Sequence, residues 1–247
     1  MAHVKPAFIP HIHRGKLISN GLRHAWPMQW HGYPAAVTNK DVAGGYTVST
    51  VNNAANLTIT GGLHGAVLSS GAASDSYFYQ TPHYTLDAKA TISLWLRKDT
   101  TLSAGQGASI IQIQGHNSPW TFAGQIVFRL FNNSGTERLE LYTRLGNDAS
   151  AAIVDQVAVN NPGVIGNGWF HLALVANGSN WLFYKNAVKQ STSVITGSDA
   201  GYWIDNLNEA AYGILLIAVR NVKLDDARIY ARDLSQQEIA RIYAGHG

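Results

Sequence analysis

No cysteine occurs in the chain, which excludes a disulfide framework, a thiolate metal site and a cysteine nucleophile together. Charge is also scarce, at 13% of residues, and the net charge is only +3, with Lys and Arg scattered singly. That is no footprint for a phosphate backbone, so nucleic acid is not an expected partner. The longest apolar run, Tyr212 to Val219, falls far short of the ~20 residues that cross a bilayer. The opening stretch MAHVKPAFIPHIHRGKLISNG lacks the apolar core of about 7 to 15 residues found in a secretory signal. A membrane partner is therefore not expected either.

Apolar material and turn-formers are plentiful. Hydrophobic residues make up 46% of the 247 positions, enough for a sizeable core, and the length suits one large β domain. The 24 glycines and the doublets Asn52-Asn53, Asn132-Asn133 and Asn160-Asn161 punctuate the chain with tight turns. Pro6 and Pro10 break regular structure near the start, so residues 1–20 read as an extended arm and 21–247 as the domain.

Within the domain, short apolar segments recur at roughly 8 to 15 residue intervals, the rhythm of an all-β sandwich. Strands are predicted over 90–97, 109–114, 125–131, 139–144, 170–176, 181–184 and 214–219. In ATISLWLR, Ile92, Leu94 and Leu96 share one face while Trp95 takes the other. Asn177-Gly178-Ser179 between two apolar runs predicts a hairpin. The ending adds one helix. Ser235 with Glu238 forms a capping box, and Ile239, Ile242 and Tyr243 fall on one helical face. Nine or so residues are too few for a stable isolated helix, so this one must dock by burying that face.

These residues carry a resemblance. The runs GWFHLALV (168–175) and WLFYK (181–185), and above all the ending LDDARIYARDLSQQEI (224–239), resemble laminin-G-like domains of the concanavalin A-like lectin/glucanase superfamily. HGAVLSSG from His64, and ATISLWL from Ala90, are similar to further strands of that family. Asn186-Ala187 stands where the family usually has an Asp-Gly turn. GLRHAWPM (21–28) is similar to the opening of members often encoded by bacteriophages. The resemblance implies a jelly roll of two antiparallel sheets with a short C-terminal helix.

A glucanase of that fold needs two carboxylates about 5 to 5.5 Å apart, set by a strand motif of Glu and Asp. No such string occurs. Of the four glutamates, Glu137 and Glu140 fall on opposite strand faces and Glu238 serves the cap. Glycoside hydrolysis therefore ranks last, and no catalytic residue is assigned.

Glycan binding calls for an exposed aromatic face with polar neighbours. Trp120 and Trp203 sit in loop-like surroundings, with Asn117, Asp199, Tyr202 and Asp205 nearby; the alternative is that each tryptophan plugs an end of the sandwich. Asp225 and Asp226, with Asp75, are candidates for the structural calcium of similar domains; the alternative is a turn cap or an ion pair with Arg228 or Arg232. His11, His13 and Arg14 lie in the arm, where an H-x-H could ligate a metal or simply be polar. The expectation is a non-catalytic decoration protein on a phage virion surface. Its arm would dock on other virion proteins and its lectin-like domain would take cell-surface or mucus glycans, with homo-oligomers allowed. A soluble extracellular carbohydrate-binding module is the alternative.

Overall fold

A computed structural model describes residues 20–26, 49–51, 57–60, 67–70, 76–80, 88–98, 100–118, 121–145, 152–159, 168–201, 203, 212–218 and 222–245. Among the described residues sixteen strands form two antiparallel sheets of eight strands each, and one helix accompanies them. The first runs β13 (Val188–Lys189), β12 (Trp181–Lys185), β11 (Gly168–Ala176), β6 (Ala90–Lys98), β16 (Val222–Tyr230), β4 (Val67–Ser70), β3 (Leu57–Thr60), with β1 (Leu22–Trp26) also on β16. The second runs β14 (Thr192–Thr196), β10 (Ile153–Val159), β9 (Thr136–Leu145), β8 (Thr121–Asn133), β7 (Gly107–Ser118), β15 (Tyr212–Ala218), β5 (Ser76–Gln80), β2 (Ser49–Val51). Chain neighbours such as β6 and β7 lie in different sheets, as a jelly roll requires.

Alternation builds the core. Ile92, Leu94 and Leu96 of β6 face inward with Leu172 and Leu174 of β11, and meet Ile126, Phe128 and Leu130 of β8 from the other sheet. Each such side chain contributes ~1.5 to 3 kcal/mol on burial. Phe128 and Phe183 touch across the layers with ring centroids 5.9 Å apart. At one end Lys98 and Glu137 pair as a buried ion pair between the sheets, and the Leu102 amide donates to the same carboxylate at 2.6 Å.

Six of the seven predicted strands lie within longer ones; the seventh, 214–219, falls in β15 as far as Ala218, and Val219 lies outside the described residues. The predicted hairpin joins β11 to β12 through Ala176↔Trp181. Its turn spans four residues: Asn177 Oδ1 accepts from the Ser179 and Asn180 amides at 2.9 and 2.7 Å, and only Gly178 takes positive φ, at 83°. Two-residue turns with both φ positive stand instead at Ser134-Gly135, between paired Asn133 and Thr136, and at Asn186-Ala187, between paired Lys185 and Val188.

Helix α1 (Gln236–Ala244) has the predicted capping box and buries Ile239 and Ile242 on the outer face of the first sheet, against Val175, Tyr184 and Tyr230. Tyr243 stacks on Trp95 at 5.7 Å. Trp95 is therefore packing under the helix.

Candidate functional site

Helix α1 occupies the outer face of the first sheet. On the outer face of the second, β8 and β9 align so that Phe131↔Arg138, Arg129↔Glu140, Val127↔Tyr142 and Gln125↔Arg144 are cross-strand pairs. Leu130, Leu139 and Leu141 point into the core, so the alternate residues point out. Arg129 lies 4.4 Å from the Phe131 ring and 4.7 Å from the Tyr142 ring, Arg138 6.0 Å from Phe131, and Arg144 5.2 Å from Tyr142. The result is a ladder of guanidinium groups and rings, each contact within cation–π range.

Glu140 is the anchor of the ladder, its side chain fully buried. Oε2 accepts from Arg129 Nε at 2.9 Å and Nη2 at 2.7 Å, and from Gln156 Nε2 at 3.0 Å; Oε1 accepts from Arg138 Nε at 2.5 Å. A buried carboxylate costs heavily unless charge-paired and hydrogen-bonded, and here both conditions are met. The network locks side chains that are otherwise rich in rotamers. Tyr142 is itself buried, so the network presents arginine N–H donors beside the half-buried Phe131 ring, a combination suited to gripping a polar ligand with apolar patches such as a sugar ring.

The predicted site residues fall elsewhere. Trp203 is 2% exposed and belongs to the core cluster, so the expected sugar platform is corrected at this residue: its side chain is packed in the core. Asp199 spends Oδ1 on the Trp181 amide at 2.7 Å, which fixes the start of β12. Asn117 lies in β7, its side chain outside those described. Trp120, Tyr202, Asp205, Asp75, His11, His13 and Arg14 lie outside the described residues.

Asp225 and Asp226 mark a bulge. The β16–β6 register shifts between Asp225↔Trp95 and Arg228↔Ser93, and Asp226 takes φ 45°. The extra residue reverses the alternation, as bulges do. Leu224, Ala227 and Ile229 all join the core, while Asp225, opposite Trp95, is on the outer side. Asp225 therefore does not share a face with Ala227, contrary to simple alternation. Both oxygens of Asp226 accept from Arg228, at 2.8 Å from Nε and 2.7 Å from Nη2. Burial disfavours the Arg228 charge, but Asp226 and Tyr230 together outweigh it and hold the pKa above its ordinary value. The Asp226 carboxylate thus has its cation in Arg228. Among the described residues, no group of three or more His, Cys, Asp or Glu could hold a metal.

Two further arrangements bear on chemistry. Glu137 and Glu140 point to opposite sides of β9, one to Lys98 and one to the arginine ladder. Ser93 and His171 share a hydrogen bond of 2.9 Å, but both are buried, with Trp95 and Tyr243 packed around the imidazole.

A family profile described as "Concanavalin A-like lectin/glucanases superfamily" matches residues 70–240, more than half the chain. The chain belongs to the concanavalin A-like lectin/glucanase superfamily. No curated protein sequence matches significantly. Among solved structures, this concanavalin A-like chain is similar to the binding domain of botulinum neurotoxin DC in complex with rat synaptotagmin II, with a TM-score of 0.60 at 16% identity over 93% of this chain and 52% of that one. The same domain in complex with SialylT gives 0.59 at 15% identity, over 93% and 52%. The binding domain of Paraclostridial Mosquitocidal Protein 1 gives 0.59 at 16%, over 92% and 53%. The chain spans about half the length of these structures, and at such identities the likeness is one of fold.

Proposed function

We propose that this chain is a non-catalytic, lectin-like domain that binds glycans on the outer face of its second sheet. One observation carries the reading: Arg129 and Arg138 are held by the buried Glu140 in fixed relation to the Phe131 and Tyr142 rings. Relatives in fold that were solved with a protein receptor and with SialylT agree with a binding role. The non-catalytic part is supported by the separation of Glu137 from Glu140 and by the burial of the Ser93–His171 pair. A glycan array probed with the full chain tests it, with Phe131→Ala as the site variant and Trp120→Ala as the comparison. Glycan signal lost in Phe131→Ala and kept in Trp120→Ala is expected. A blank array sinks the proposal.

A place on a phage particle is the finer reading. It rests on the similarity of residues 21–28 to phage-encoded members and on the Pro-broken arm that precedes them. In this reading the arm docks on a neighbouring virion protein and the domain faces outward, at the virion surface. Deleting residues 1–20 should then abolish association with particles while leaving glycan binding intact. If association survives the deletion, the docking role of the arm is overturned; if the full chain does not associate with particles, the domain is better described as a soluble carbohydrate-binding module.

A further inference from the structure

From the charge balance of the ladder we infer that the preferred ligand is an acidic saccharide, one carrying a carboxylate or sulfate, and that Arg138 grips the acidic group. The inference rests on the glycan-binding proposal and narrows it.

Arg129 and Arg138 bring two positive charges to Glu140, which returns one negative charge, so the three groups together carry an excess of one positive charge. A neutral sugar would leave that excess uncompensated in a partly desolvated setting. An anion would complete the pairing. The two arginines are not equivalent. Arg129 turns both Nε and Nη2 onto Glu140, so its fork is largely consumed. Arg138 donates to Glu140 from Nε, and its two terminal amino groups make no hydrogen bond to that carboxylate. Its side chain is 20% exposed, where Glu140 has no exposure at all. An arginine held at one nitrogen and open at the other two is a preorganised fork for a second, external oxyanion. The half-buried Phe131 ring beneath it supplies apolar surface for the neighbouring sugar carbons.

Lysine would not substitute. It keeps the charge but loses the planar fork that pairs two oxygens at once. The site therefore distinguishes recognition of an oxyanion from general attraction to a basic surface.

The test is calorimetric titration of the full chain with lactose, sialyllactose and sulfolactose, at two salt concentrations, for wild type, Arg138→Gln and Arg138→Lys. The expected result is binding of the acidic sugars over lactose by roughly tenfold or more, the scale of a charge-assisted hydrogen bond. That preference should vanish in Arg138→Gln and be largely lost in Arg138→Lys, with melting temperatures close to wild type. If lactose binds as well as its acidic derivatives, the charge argument is overturned while the glycan-binding proposal stands. If acidic sugars are preferred but Arg138→Lys binds them as wild type does, the fork is overturned. If no sugar binds, here or on an array, both fall.

Discussion

Removing the Asp226 carboxylate without disturbing its backbone should expose how much the β16 bulge depends on charge. Asp226→Asn is suited to this, because asparagine tolerates the left-handed conformation observed there, φ 45°, about as well as aspartate does. The variant keeps the bulge geometry but replaces an acceptor pair at 2.8 and 2.7 Å from Arg228 with a neutral amide. Arg228 is 8% exposed, so most of its surface is shielded from water. Breaking one side of a buried ion pair costs about 3 to 5 kcal/mol, since the remaining charge stays desolvated. For a domain of this size that is a fall in melting temperature of roughly 6 to 20 °C. Urea unfolding followed by near-ultraviolet circular dichroism would measure it, with the double variant Asp226→Asn/Arg228→Met as partner. Deleting the stranded charge should recover part of the loss, because the desolvation penalty of the unpaired guanidinium goes with it. A single-variant loss below about 1 kcal/mol, or no recovery in the double variant, would refute the reasoning. A calcium-dependent shift in wild-type melting would show instead that a bound cation shares the carboxylate with Arg228.

Glu238 should give a pH signature. Two bonds from Arg232, at 3.1 and 2.7 Å, lead the causes that hold its pKa at about 2, against an ordinary 4.5. A depressed carboxylate pKa stabilises the fold above the unfolded value and loses that contribution as pH falls through the folded one. Wild type should exceed Glu238→Gln by about 1 to 2 kcal/mol at neutral pH, allowing for solvent screening, and the difference should vanish between pH 4.5 and about 2. Urea midpoints across that range would check it; a constant difference contradicts the ion pair. At Gly197, a Cβ would sit 2.1 Å from the Val154 carbonyl and 2.4 Å from Asp155 Oδ1. Gly197→Ala should therefore destabilise by more than about 3 kcal/mol, and a melting curve within 2 °C or so of wild type would be inconsistent with that close approach.

How legible these features were depended on periodicity. β6, β11 and the docking helix carry unbroken alternation or a capped 3.6-residue pattern, so their sequences state their faces. β10 does not. IVDQVAV interrupts its apolar positions with Asp155 and Gln156, one of which bonds the Ser198 amide and the other Glu140. The bulge at Asp226 was hidden for a related reason: one inserted residue reverses every later side chain, and no glycine marks the left-handed position. The ladder left a fainter trace still. Arg129 and Glu140 are eleven positions apart, and only the β8–β9 register makes them partners. Looking for tryptophan in loops led to Trp203, which is core, while the aromatic residues on the outer face are a phenylalanine and a tyrosine inside strands. Alternation of charge and ring in FRLF and ERLELYTR was the available signal.

The central claim is that ligand meets the outer face of β8 and β9. Titrating the isotopically labelled full chain with a glycan that it binds, and mapping the amide and side-chain shifts by NMR, tests this most directly. The account predicts perturbations concentrated at Phe131, Arg138, Glu140 and Tyr142, including the arginine Nε–H signals. Shifts confined to the helix-covered sheet or to the turns at the sandwich ends, with these four residues unmoved, would contradict it.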